Sequence, residues 1–317
     1  MQILYLDKMN SHMEKILLDM AGDQYDVRFL QPTLGRKGEL KDAEILMDTT
    51  FKCTKEIIDG CPNLKLIQRT GIGVDMVDVK YATEKKIPVS VCRGFNSVSV
   101  AELAVLDMLA LYRRICFMDQ YTKAGEWHTW TYRHESYELT GKTVGVIGAG
   151  NIGRNIIKRV KAFDTVVLYY DPFRMPADQE EELGIMYTEL DELVEKSDVV
   201  VMGGLPLNDQ TRSMIGRKQL KSMKKTAILV DTAREQLVDL EALTEVLLNE
   251  EIAGAAIDSF EPLPKECPIF KAKDKNLILS PHIGAATYDN YYRVYKFALE
   301  NAQRVMDGKP VEGVMNL

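Results

Sequence analysis

The sequence predicts an α/β protein of two doubly wound parallel-sheet domains, and three observations carry that expectation. Short apolar runs alternate with amphipathic stretches along nearly the whole chain, the rhythm of repeated strand–helix–strand units. Glycines follow directly on an apolar run at residues 71–73 and again at 148–153. A long helical pattern at 290–305 comes after the last strand pattern and its loop, where it can cross back to the first domain. At 317 residues the chain has room for two domains and a substantial core.

In the first domain the strand patterns are residues 3–6, 25–30, 45–47, 65–68 and 88–91, with amphipathic pieces at 13–20 and 55–59 between them. The run Arg69-Thr70-Gly71-Ile72-Gly73-Val74-Asp75 follows a strand, so its N–H groups can face an anion. Spacing alone leaves that reading and a plain glycine turn equally open. Residues 96–114 form a long helix pattern, apolar on nearly every face and therefore expected to be central, with Glu102 as a satisfied buried acid. Residues 125–140 carry Trp127, Trp130, Tyr132 and Tyr137, and a loop so aromatic is expected to pack on a partner subunit.

The second domain begins with Val144-Gly145-Val146-Ile147-Gly148-Ala149-Gly150-Asn151-Ile152-Gly153, a strand running into Gly-x-Gly-x-x-Gly and then a helical pattern. Gly148 permits the turn, Gly150 lets a pyrophosphate approach the backbone, and Gly153 lets helix and strand pack closely. The phosphates would sit at the helix N-terminus. A second apolar run, 165–170, ends in Asp171, where an acid meets adenosine ribose hydroxyls. Together these predict a dinucleotide site. Further strands are expected at 198–202, 227–230, 255–257 and 277–279, with helices at 190–196 and 240–249. Ligands of open α/β sheets bind beyond the carboxyl ends of strands. Three such exits carry Asp231-Thr232-Ala233-Arg234, Asp258-Ser259-Phe260-Glu261 and Ser280-Pro281-His282-Ile283-Gly284. An arginine, a carboxylate and a histidine behind a dinucleotide turn suit hydride transfer. Reducing a carbonyl needs a proton donor, a cation to polarise the oxygen and a carboxylate to orient the donor.

Composition narrows the alternatives. Hydrophobic residues are 46% and charged residues 27%, ordinary for a globular enzyme. A net charge of −7 gives no basic footprint for nucleic acid or membrane. The five cysteines are odd in number and form no C-x-x-C pair, which reads as reduced thiols in a cytoplasmic protein with neither disulfides nor a metal site. The N-terminus carries no secretion pattern, and no apolar run approaches membrane-spanning length.

Over nearly its full length the chain resembles the D-2-hydroxyacid dehydrogenases. The resemblance is carried by 71–75, Asn96-Ser97-Val98-Ser99-Val100-Ala101-Glu102, Gly125-Glu126-Trp127, 148–153, Thr232-Ala233-Arg234, 258–261 and 280–284, in that order. It implies a Rossmann NAD-binding domain, 97–289, inserted in a flavodoxin-like substrate domain made of 1–96 and 290–317. It implies catalysis by Arg234, Glu261 and His282. NAD contacts would come from Val100, Gly148, Gly150, Asn151, Ile152, Gly153, Asp171, Pro206, Thr232, Ala233 and Asp258. The substrate carboxylate would be held by Gly71, Ile72 and Gly73 together with Arg234. It also implies a homodimer joined through the NAD-binding domain, with a small 2-oxo or 2-hydroxy acid as substrate and no metal.

The chain departs from the family pattern in four places. Glu235 stands where glycine is usual after the arginine. Leu263 occupies the usual place of the catalytic glutamate, so a two-residue deletion puts Glu261 in that role. Met202-Gly203-Gly204 replaces the usual strand end on the adenine side. Asp48 stands where phosphoglycerate-specific relatives carry an arginine, with Lys52 close by. A carboxylate on His282 would raise the histidine's pKa. Two other functions remain open on this fold: an NADH-sensing, corepressor-like binding protein, and formate oxidation.

Overall fold

The computed structural model describes residues 1–30, 40–258 and 262–317. The chain divides into two compact units, Met1–Asn96 with Tyr288–Leu317, and Ser97–Thr287.

The first unit holds a five-stranded parallel sheet. Its strands are β1 (Gln2–Tyr5), β2 (Asp26–Phe29), β3 (Ile45–Asp48), β4 (Leu66–Arg69) and β5 (Val89–Ser90). They lie in the order β2-β1-β3-β4-β5, the flavodoxin-like order, which reverses direction between β1 and β3. β1, β3 and β4 are buried at every residue, so their apolar residues run consecutively and do not alternate, with polar residues at Gln2, Asp48, Gln68 and Arg69. Alternate side chains feed opposite faces. Leu4, Leu46 and Ile67 pack with Ile57 and Ile58 on one side. On the other, Ile3, Ile45, Met47 and Leu66 meet Val294, Tyr295, Ala298 and Ala302 of helix Tyr288–Met306. The last helix therefore belongs to this unit.

The second unit holds seven parallel strands: β6 (Thr143–Ile147), β7 (Val166–Tyr170), β8 (Met186–Tyr187), β9 (Val199–Met202), β10 (Ile228–Asp231), β11 (Gly254–Asp258) and β12 (Leu277–Ser280). Their order, β12-β11-β10-β9-β6-β7-β8, is that of a Rossmann sheet, with its switch point between β6 and β9.

Helix Ser97–Arg113 lies on this sheet, but only partly as expected. Ala101, Ala104, Met108 and Leu111 are buried, whereas Val98 and Leu106 remain 39% and 60% exposed. Glu102 shares their stripe, one turn from each, and is exposed in an ion pair with Arg159 at 2.9 Å. The buried acid of this helix is Asp107, 5% exposed. In the aromatic segment Tyr137 packs edge-on against Tyr112 at 5.7 Å. Trp127 and Trp130 are 84% and 73% exposed. Among the described residues no helix is long and apolar enough to cross a membrane, and no cluster of three or more His, Cys, Asp or Glu is placed to hold a metal.

Candidate functional site

The glycine turn after β6 is built for close approach. Gly148 has φ +91, a left-handed conformation that disfavours any side chain. A Cβ on Gly153 would lie 2.0 Å from the Gly148 carbonyl oxygen, so helix Asn151–Lys161 touches the turn with nothing between them. Around Gly150 a Cβ would meet nothing within 4 Å, which leaves its backbone open to a phosphate. Asn151 and Ile152 open the helix beyond it. The Gly203 departure now has a reason. A Cβ there would also lie 2.0 Å from the Gly148 oxygen, so the β9 exit packs backbone against backbone on the turn.

Asp171 ends β7 half-buried, with one oxygen accepting from the Ala149 N–H at 2.8 Å and the other from the Phe173 N–H at 2.9 Å. Each oxygen keeps a lone pair for a ribose hydroxyl. Arg174, the nearby cation, is occupied: it grips Glu180 through Nε at 2.8 Å and a second nitrogen at 2.9 Å. That fork and the Tyr169 hydroxyl hold the Glu180 carboxyl down at about 2. Pro206 is exposed in the segment after β9, its carbonyl accepting from the Thr211 hydroxyl at 2.7 Å.

Three exits then supply polar side chains. Asp258, 1% exposed at the end of β11, accepts three hydrogen bonds from the turn after β12: Ser280 Oγ at 2.6 Å, Ile283 N at 2.9 Å and Gly284 N at 2.8 Å. This carboxylate is the peg around which 280–284 is wound. The winding puts His282 at φ +54, sparsely populated for a side-chain-bearing residue and stabilised here by the bonds on either side. Val100 closes the turn from the helix side: a Cβ on Gly284 would be 3.1 Å from Asp258 Oδ2 and 3.3 Å from Val100 Cγ2.

After β10, Thr232 and Ala233 are buried, with Asp231 accepting the Ala233 N–H at 2.8 Å. Arg234 is half-buried, donating to the Ala233 carbonyl at 2.8 Å. Glu235 is buried at 4%, so its charge acts within the protein and not in solvent. Burial pushes His282 below its ordinary pKa; Asp258 and Glu235 pull it up, and Arg234 pushes it further down. Among these described groups, loss of solvation outweighs the nearby carboxylates. Glu261 lies outside the described residues.

In the first unit the Gly71–Gly73 turn is braced from β4. Arg69 donates to the Gly73 carbonyl at 2.9 Å, to Asp48 Oδ2 at 2.7 Å and to the Thr49 carbonyl at 2.7 Å. Asp48 and Arg69 are register partners on β3 and β4, and both side chains are buried. Burial pushes the Asp48 carboxyl up to about 7 against the pull of Arg69. The pair went unread in the sequence because only strand register brings these positions together. Asp107 was missed too, although an acid in an apolar helix stretch was its signal.

A Rossmann sheet with this glycine turn and an acid ending its second strand defines a dinucleotide-binding α/β protein. Residues 105–284 match the family model described as D-isomer specific 2-hydroxyacid dehydrogenase, NAD binding domain. The chain is 37% identical over its whole length to D-3-phosphoglycerate dehydrogenase of Methanocaldococcus jannaschii, and spans 59% of that protein. It is 39% identical to glyoxylate reductase of Thermofilum pendens over 87% of its own length and 81% of that protein's. NAD-dependent formate dehydrogenase from Staphylococcus aureus, solved in complex with NAD, superposes with a TM-score of 0.84 at 28% identity, over 99% of each chain. The chain belongs to the D-isomer specific 2-hydroxyacid dehydrogenase family, oxidoreductases that use NAD.

Proposed function

We propose that this protein reduces a small 2-oxo acid to the D-2-hydroxy acid with NADH, and catalyses the reverse reaction, with His282 as acid/base. The observation that carries the reading is Asp258 binding three groups of the 280–284 turn, which fixes His282 in a strained conformation at a strand exit. A histidine held that firmly, in partial burial, suits proton transfer at a defined atom better than a structural role.

NADH when bound supplies the hydride. Gly148, Gly150, Asn151, Ile152 and Gly153 would hold its pyrophosphate and Asp171 its adenosine ribose. Pro206, Thr232, Ala233, Asp258 and Val100 would line the remainder. His282 protonates the oxo oxygen in reduction and takes the hydroxyl proton in oxidation. Arg234 pairs with the substrate carboxylate and steadies the developing alkoxide; its planar fork can serve both oxygens. Gly71, Ile72 and Gly73 are the proposed backbone N–H donors to a substrate carboxylate. Glu261 is the proposed partner of His282, and buried Glu235 is the second candidate because its charge already acts on the histidine. Residues 1–96 with 290–317 would form the substrate domain and 97–289 the NAD-binding domain. We place the protein in the cytoplasm as a homodimer joined through the NAD-binding domain, a partner surface that exposed Trp127 and Trp130 suit.

The test follows NADH absorbance with glyoxylate, pyruvate, a branched and an aromatic 2-oxo acid, and hydroxypyruvate, and NAD with formate. We expect turnover with at least one 2-oxo acid and none with formate. Because Asp171 repels a 2′-phosphate and Arg174 is tied to Glu180, kcat/KM for NADH should exceed that for NADPH by about a hundredfold, about 3 kcal/mol. Turnover of formate alone would favour the formate reading. NADH binding with no turnover of any acid would favour a sensor.

A further inference from the structure

We infer that Asp48 and Arg69 act as one specificity device: Arg69 braces the Gly71–Gly73 turn, and Asp48 takes up its charge, so the site admits 2-oxo acids whose side chains carry no anion. The inference rests on the reading that this turn receives the substrate carboxylate.

Three observations support it. Arg69 reaches three separate segments, each at hydrogen-bond distance: Asp48 on β3, the Thr49 carbonyl just beyond it, and the Gly73 carbonyl of the turn. A planar fork ties the three segments through three separate nitrogens in fixed directions, whereas an ammonium offers all its donors from one atom. Arg69 is therefore a positioning residue, acting on the substrate through the turn.

The second observation is where the pair stands. In an open parallel sheet, ligands gather at the carboxyl ends of strands beside the point where strand order reverses, here β1 and β3. The groups at these exits form a connected polar set. Asp7, after β1, accepts from the Thr49 N–H at 2.5 Å, the Thr50 N–H at 2.8 Å and the Thr50 hydroxyl at 2.6 Å. The Thr49 and Thr70 hydroxyls meet at 2.5 Å, with the Tyr5 hydroxyl 2.8 Å from Thr49. The substrate carbons beyond the carboxylate would face this set.

The third observation is its charge. Two carboxylates, Asp7 and Asp48, oppose one guanidinium, and that guanidinium is committed to protein acceptors. Lys52 is exposed, outside the buried pair. Asp48 Oδ1 is buried with no hydrogen-bond partner among the described residues. Half of this carboxylate thus makes no bond, and the other half takes up the charge of Arg69. Among the described residues of this buried set, a second anion on the substrate would meet one guanidinium already bonded to the protein and two acidic neighbours.

Pyruvate and oxaloacetate test this, since oxaloacetate is pyruvate carrying a second carboxylate. Asp48→Asn keeps the size and one hydrogen bond but leaves the Arg69 charge uncompensated. The ratio of kcat/KM for oxaloacetate to that for pyruvate should rise at least tenfold over wild type, with KM for NADH unchanged. If Asp48→Asn does not fold, Asp48→Ala reads the same ratio, and NADH binding reports the folded state. Arg69→Lys should raise KM for pyruvate about tenfold or more while leaving KM for NADH near wild type. An unchanged ratio in the Asp48 variants, alongside a raised pyruvate KM in Arg69→Lys, overturns the specificity device and leaves the turn's role standing. An unchanged pyruvate KM in folded Arg69→Lys overturns both.

Discussion

The carboxyl ends of the two parallel sheets solve the same problem in opposite ways. At the β6 exit the chain removes side chains. Gly148, Gly153 and Gly203 bring backbone against backbone, and Gly150 faces open space. At the β3 and β4 exits it fills the space with a buried ion pair and a run of hydroxyls. A polyphosphate is long, flexible and charged, and bare N–H groups at a helix N-terminus recognise it whatever its exact pose. A small acid offers few atoms, so the groups around it must be fixed in place and in charge. On the proposed reading, sheets of similar topology serve as a general cofactor platform and as a selective pocket according to which side chains stand at the exits.

The largest effect should come where backbone meets backbone. Gly153→Ala places a methyl carbon 2.0 Å from the Gly148 carbonyl oxygen, which cannot move without opening the turn. We expect it to destabilise the protein by about 3 kcal/mol and to abolish NADH binding, read by urea unfolding and by NADH titration. Gly71→Ala, with nothing within 4 Å of the new carbon, should fold like wild type. Equal stability of the two variants would erase the contrast between the exits.

A smaller effect contrasts two buried acids. Burial pushes both carboxyls up to about 7, but Asp48 has Arg69 pulling it down, whereas Asp107 has Asp258 pushing it further up. The folded state holds the Asp107 proton more tightly than the unfolded chain, whose carboxyl titrates near 3.8. Stability from this group is therefore complete at low pH and is lost as pH rises from about 4 to about 7, at up to about 1.4 kcal/mol per unit. Asp107→Asn cannot ionise, so it should gain on wild type by about 2 kcal/mol between pH 5 and pH 8 in chemical unfolding. A constant difference across that range would mean that Asp107 does not titrate there.

What the sequence made legible follows from how local each feature is. The glycine turn, Asp171 and the exits at 231, 258 and 280 are read within a few residues of a strand, and the fold places them at strand ends as expected. The Asp48–Arg69 pair depends on β3–β4 register across 21 positions, which no local pattern encodes. Glu102 and Asp107 lie in one apolar helix stretch, and only its rotation about the sheet decides which is buried. Val98, Glu102 and Leu106, spaced by four, mark the outward stripe. The lowered pKa of His282 was hidden for a related reason. The carboxylates near it can be guessed from sequence, but the depth of its burial cannot.

If His282 gives the proton, the pH dependence of kcat/KM for 2-oxo acid reduction must follow its titration. This parameter reports groups in the free enzyme. Reduction needs protonated His282, so kcat/KM should be highest at low pH and fall as pH rises through the histidine's pKa, with a midpoint below the ordinary 6.5 because burial disfavours the charged form. In His282→Gln the rate should drop by about a hundredfold or more at every pH, and that midpoint should vanish. A His282→Gln enzyme that keeps the wild-type profile would show that another group carries the proton.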